Sequence, residues 1–265
     1  MILAALVLTV GAQMSAERAI SATRAFIKDY KLPGKYSLLS CSPPGTWSPE
    51  DKLWHVDFVR SPSSKYEFQV NEKGRVIGMF RSGMERVMPI RTPEWKAKAD
   101  DRAEQILKQF HPEFPYNPPD PYLARFGENA HVFMVTKNGL PFVGRILAYS
   151  VTIEGPTWEM TRFGAPDSLP SVNAKSPKIT SKVAEQTAER SIRATDYKPF
   201  KLNSLKLGPP RLVYYAGETA PEARLAWYFK AMISIDRGRG YSGGEEGIVI
   251  DALTGERIKT PYRLP

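Results

Sequence analysis

The chain has 265 residues, 42% hydrophobic and 25% charged, a globular balance that excludes both a disordered and a membrane-filling polypeptide. Lys and Arg outnumber Asp and Glu by 37 to 28, a formal charge of +9. The lone cysteine, Cys41, excludes an intrachain disulfide framework and a multi-cysteine zinc site, and only His55, His111 and His131 are available for imidazole chemistry.

Ile2 to Val10 is an apolar run. It is shorter than the roughly 20 residues of a membrane span and fits the core of a signal peptide, with Val10-Gly11-Ala12 as the small-residue cleavage signal before Gln13. The expectation is a signal peptide over residues 1–12, cleaved or retained as an anchor, and a secreted, periplasmic or cell-envelope location. An exported protein of this charge meets anionic envelope polymers rather than nucleic acid. No block of consecutive Lys or Arg forms a dedicated polybasic arm.

Helical spacing first appears at Ala19, Ile20, Thr23, Phe26, Ile27 and Tyr30. Strand-like stretches follow at Lys35–Cys41, Leu53–Val59 and Tyr66–Val70, the last turning at Gly74 and continuing at Val76. Ser82 to Thr92 reads as a boundary. Thr92-Pro93-Glu94 then starts a second helix, with a capping Thr, Pro at the first helical position and an acid in the first turn. Its stripe is Trp95, Ala99, Ala103, Ile106, Leu107 and Phe110, and His111 ends it.

The Pro-rich segment His111–Pro121 fits neither a helix nor a central strand and reads as a rigid connection or an exposed recognition strip. Asn138-Gly139 signals a tight hairpin, and Val151–Ile153 a strand. Phe163 to Pro177, with three prolines, reads as the next boundary. Thr180 caps a third helix with Val183, Ala184, Thr187, Ser191 and Ile192 inward. Strands follow at Leu202–Leu207, Leu212–Tyr215, Ala223–Ile235 and Gly247–Ile250. In the long one Leu225, Trp227, Phe229, Ala231, Ile233 and Ile235 share a face, with Tyr228, Lys230, Ser234 and Asp236 opposite, a pattern of one buried and one solvated side.

The segments can be superposed. Trp54, Val56 and Phe58 match Trp227, Phe229 and Ala231, and the corner at Asn71–Gly74 matches that at Asp251–Gly255. Asn or Asp followed by Gly suits such a corner, because the side chain caps the turn and Gly accepts positive φ. The expected fold is α+β: repeated units of one helix packed on a three- or four-stranded antiparallel sheet, at 13–88, a degenerate middle copy at 89–165, and 178–265.

Leu225-Ala-Trp-Tyr-Phe, a loop, and Gly247-Ile-Val-Ile-Asp-Ala-Leu-Thr-Gly-Glu-Arg-Ile258 resemble the closing half of a PepSY domain. Lys178-Ile-Thr-Ser-Lys-Val-Ala-Glu-Gln-Thr-Ala supplies the opening helix. The resemblance spans Lys178 to Thr260, and Asn71-Glu-Lys-Gly-Arg-Val makes the first unit a weaker copy. It implies a PepSY/cystatin-like fold, a secreted or membrane-tethered location, and a role in restraining peptidases or in extracytoplasmic contacts, with no catalytic residues and no cofactor.

Catalytic patterns are sparse. Gly240-Tyr241-Ser242-Gly243-Gly244 matches G-x-S-x-G, but that elbow needs a strand before it, a helix after it and a histidine base, and here another strand follows. A hydrolase using Ser242 is thus the rival to a non-catalytic binder, and a binder of anionic envelope polymers is a third reading. Arg237, Arg239 and Tyr241, on a Gly-spaced hairpin tip, are the candidate partner-binding residues, since Arg forks suit carboxylate or phosphate. The histidines are too scattered for a metal motif. His55 reads as an exposed strand residue and Cys41 as a small buried hydrophobe. The adjacent acids Asp100/Asp101 and Glu245/Glu246 diverge too far to flank one bond.

Overall fold

The computed structural model describes residues 14–32, 34–46, 48, 51–61, 64–82, 92–120, 122–123, 130–144, 147–154, 158–174, 176–195, 198, 201–217, 221–236 and 241–259. The expected signal segment lies outside them. In chain order the elements are α1 (Ala16–Asp29), β1 (Ser37–Ser42), β2 (Trp54–Ser61), β3 (Ser64–Val70), β4 (Val76–Ser82) and α2 (Pro93–Phe110). There follow β5 (Ala130–Met134), β6 (Thr136–Lys137), β7 (Leu140–Gly144), β8 (Ala148–Ile153), β9 (Met160–Gly164) and β10 (Ser171–Val172). The last are α3 (Ser181–Arg193), β11 (Lys201–Leu207), β12 (Arg211–Ala216), β13 (Glu222–Asp236), β14 (Tyr241–Asp251) and β15 (Arg257–Ile258). The fold is α+β, rich in antiparallel sheet. Among the described residues no helix is long and apolar enough to cross a membrane.

The chain divides into two compact units. The stretch 89–165 is shared between them: α2 and β9 go to the first, residues 132–149 to the second.

In the first unit the sheet runs β1-β2-β3-β4-β9-β8. Its inner face follows from strict alternation in β3, where Ser64, Tyr66, Phe68 and Val70 are buried and Lys65, Glu67 and Gln69 are not. Cys41, Val56, Phe68, Met79, Phe163 and Val151 form one cross-strand row on that face. Two helices share it. Phe26 of α1 and Phe110 of α2 approach the Phe163 ring at 5.6 and 4.6 Å between centroids. The expectation of one helix per sheet is therefore not met in this unit. Phe163, expected in a boundary, is the 2%-exposed side chain on which both helices rest. Both expected N-caps are present, Thr92 Oγ1 accepting from the Trp95 amide at 3.2 Å in α2, and Thr180 Oγ1 from the Val183 amide at 3.4 Å in α3.

In the second unit the long strand β13 is the axis. It pairs with β14 on one side and with β12 and β11 on the other, while β12 continues in parallel to β7. One face carries Phe229, Ala231, Ile233, Ile248 and Ile250 under α3, whose inward stripe is Ala184, Ala188 and Ile192; Val183, expected inward, is exposed. The opposite face was expected to be solvated. Instead Ala226 and Tyr228 are buried beneath Val132, Met134, Val143 and Ala148, with Tyr122 and Leu123 packed alongside. Residues of 112–127 and 132–149 supply this second layer, which local alternation in β13 cannot reveal.

Both corners form side-chain-capped turns. Asn71 Oδ1 accepts from the Lys73 and Arg75 amides at 3.1 and 2.9 Å, and Asp251 Oδ1 accepts from the Leu253 and Thr254 amides at 2.8 and 3.1 Å. Gly74 and Gly255 hold φ of 77° and 80°, where a Cβ would be strained. Asn138 and Gly139, both at positive φ, make the β6–β7 hairpin as expected.

Candidate functional site

The outer face of the first unit's sheet is a row of side chains in register: Ser40, Asp57, Glu67, Phe80, Arg162 and Thr152, one from each of β1, β2, β3, β4, β9 and β8. Neither helix of the unit covers it. Phe80 keeps 44% of its surface exposed, and the Arg162 guanidinium lies 5.2 Å from its ring centroid. Towards β1 the row is ionic. Lys65 Nζ reaches Asp57 at 3.1 Å and Glu67 at 3.2 Å, and the Ser40 hydroxyl donates to Asp57 at 2.6 Å. Burial disfavours the Lys65 ammonium, but hydrogen bonds to the two carboxylates outweigh it and raise the pKa.

The row ends at β1, an edge strand. A bulge between Leu38 and Ser40 leaves Leu38 41% and Leu39 59% exposed. Cys41, on the same strand, points inward and is half-buried, its thiol pushed up by burial and by Asp57. His55, read as a plainly exposed residue, is half-buried, and its Nε2 lies 2.6 Å from Asp51 Oδ2. Ser42 stands opposite His55 in the β1–β2 ladder.

Two groupings on the inner side were not read from the sequence. Glu159, 9% exposed, accepts from the Tyr66 hydroxyl and from Arg60 at 3.0 Å, while Arg81 lies 3.2 Å from both Glu159 and Glu154. Burial, and next the Glu159 acceptor, hold the Tyr66 phenol far above its ordinary range. These partners lie up to 99 residues apart, so no local motif announces them. The second is His131, 4% exposed, whose Nδ1 lies 2.6 Å from Asp100 Oδ1 while Nε2 is buried with no hydrogen-bond partner among the described residues. Burial lowers its pKa against the opposing pull of Asp100. Asp100 is one of the acids set aside as a pair; its partner is an imidazole from another element.

In the second unit, Asn117 N donates to Met134 O at 2.9 Å and Thr136 N to Pro115 O at 2.8 Å, so the Pro-rich segment lies along 134–136 as a tied connection. Beside it is a cavity of about 340 Å³ lined by Pro118, Pro119, Leu123, Met134 and Pro141 together with Asn117 and Asp120.

Of the candidate partner-binding residues, Arg237 and Arg239 lie outside the described residues, and Tyr241 opens β14 opposite Asp236. The tip is shorter than expected, because 241–244 continue the β13–β14 ladder. Ser242 sits inside that ladder opposite Ile235, followed by strand, so the strand–turn–helix elbow is not formed. His111 closes α2 in the left-handed conformation, φ 51°. Among the described residues no three His, Cys, Asp or Glu side chains gather to hold a metal.

No family model matches the chain, and no curated protein matches it.

Proposed function

We propose that the protein is an exported, non-catalytic binding protein of PepSY-like build that engages protein or envelope partners, and that its specific task is to restrain a peptidase. The observation that supports this reading most is the outer face of the first unit's sheet, a flat display of Phe80, Arg162 and an ionic strip that no helix of that unit covers. An exposed aromatic with a stacked arginine is the composition of contact surfaces. The Asn71 and Asp251 corners, alike in hydrogen bonding, support kinship of the two ends of the chain. The hydrolase alternative loses its best argument with Ser242 in a paired strand.

Titration of the purified protein into the secreted peptidases of its own host tests the specific form: saturable loss of proteolysis is expected, and unchanged proteolysis rejects it. The surplus of 37 basic over 28 acidic side chains supports a second reading, binding of anionic envelope polymers. That reading requires binding to weaken steeply between about 50 and 200 mM salt, since screening shortens the reach of surface charge.

A further inference from the structure

Edge strands expose unpaired N–H and C=O groups, and proteins normally guard them with charge, above all Lys, or with Pro. Two of the edge strands differ in this respect. In the second unit β11 reads Lys-Leu-Asn-Ser-Leu-Lys-Leu, with Lys201 and Lys206 exposed. In the first unit β1 reads Ser-Leu-Leu-Ser-Cys-Ser, with no charge and no proline; the bulge between Leu38 and Ser40 interrupts it and leaves both leucines exposed. Among the described residues nothing pairs with its outer side.

The charge behind β1 says what would fit there. Asp57 and Glu67 share the single ammonium of Lys65 on the face adjoining the edge, and Asp51 stands beside His55 next to them, so carboxylates outnumber bases in these contacts in a molecule of net charge +9. The Asp57 carboxylate is turned towards β1, since it accepts from Ser40 at 2.6 Å. A strand added beyond β1 lies two strand spacings, about 10 Å, from β2. A Lys or Arg opposite the small Ser40 spans that distance, while the next residue, on the other face, meets Leu38.

We propose that β1 is a strand-addition edge for an extended segment of a partner protein in which aliphatic residues alternate with Lys or Arg. The inference rests on the binding-protein reading and names the chemistry of its partner. Backbone hydrogen bonds would supply affinity, and the alternating side chains specificity. A second copy of this chain is the poorer occupant, because its own β1 brings no base to Asp57.

The probe is a fluorescein-labelled, end-capped heptapeptide of alternating Val and Lys, measured by anisotropy on the full chain, with Val/Ser and Val/Glu counterparts. The Val/Lys peptide should bind at least tenfold more tightly than Val/Glu. Leu39→Lys should weaken it at least tenfold, and Asp57→Asn should remove its advantage over Val/Ser. Leu39 is exposed, so its variant should keep the wild-type circular dichroism and melting curve. Absent Val/Lys binding, or binding indifferent to Leu39→Lys, overturns the proposal. A β1-mediated dimer that Leu39→Lys dissolves, seen by light scattering, also overturns it. A host envelope protein retained equally by wild type and Leu39→Lys would leave the binding-protein reading standing and overturn the β1 assignment alone.

Discussion

Glu159 sets the polarity of the first unit's inner face at one end, where Tyr66, Arg60 and Arg81 converge on it. Breaking a fully buried pair costs about 3–5 kcal/mol, because an uncompensated charge remains. Arg60 and Arg81 keep 29% and 16% of their side chains exposed, so water can recover part of that cost. Glu159→Ala is expected to lower stability in urea unfolding by about 2 kcal/mol, after that discount. His131 gives a pH dependence. Its folded-state pKa lies below the unfolded value, so the folded form binds fewer protons and its contribution is lost as pH falls below about 6.5. The urea midpoint should drop between pH 7.5 and pH 5, and His131→Gln should flatten that drop. The imidazole faces Asp100 and, more remotely, Lys96, and the burial effect is the larger.

At the scale of elements, the sequence announced what depends on near neighbours. The stripe Ala99, Ala103, Ile106, Leu107 and Phe110 is the buried face of α2, while Trp95 is 37% exposed beside Trp158. Caps, corners and the Asn138-Gly139 hairpin were equally readable, because each is set by the chemistry of a few consecutive residues. Phe163 was misplaced, since its prolyl surroundings resemble a boundary and its partners Phe26 and Phe110 are far away in the chain. Phe163→Ala is expected to cost about 3–5 kcal/mol, the range for a buried aromatic, by calorimetry or urea. Thr180→Ala, which removes only the α3 cap, should cost about 1 kcal/mol.

For the molecule as a whole, the two-unit division was not legible, because residues 132–149 and 150–167 belong to different units although they adjoin in sequence. The covering of Tyr228, whose phenol burial pushes up to about 12, was hidden for the same reason. The outer row from Ser40 to Thr152 exists only through strand register, which composition does not encode. Register and edge chemistry together leave β1 a neutral edge with two exposed leucines, the edge proposed above to take a partner strand.

Amide hydrogen exchange over Ser37–Ser42 tests that edge most directly. The outward amides of β1 should exchange much faster than those of β3 in the isolated protein, and slow selectively when a basic, aliphatic extended segment is bound. Amides of β1 already as protected as those of β3 in the isolated chain would contradict the proposal.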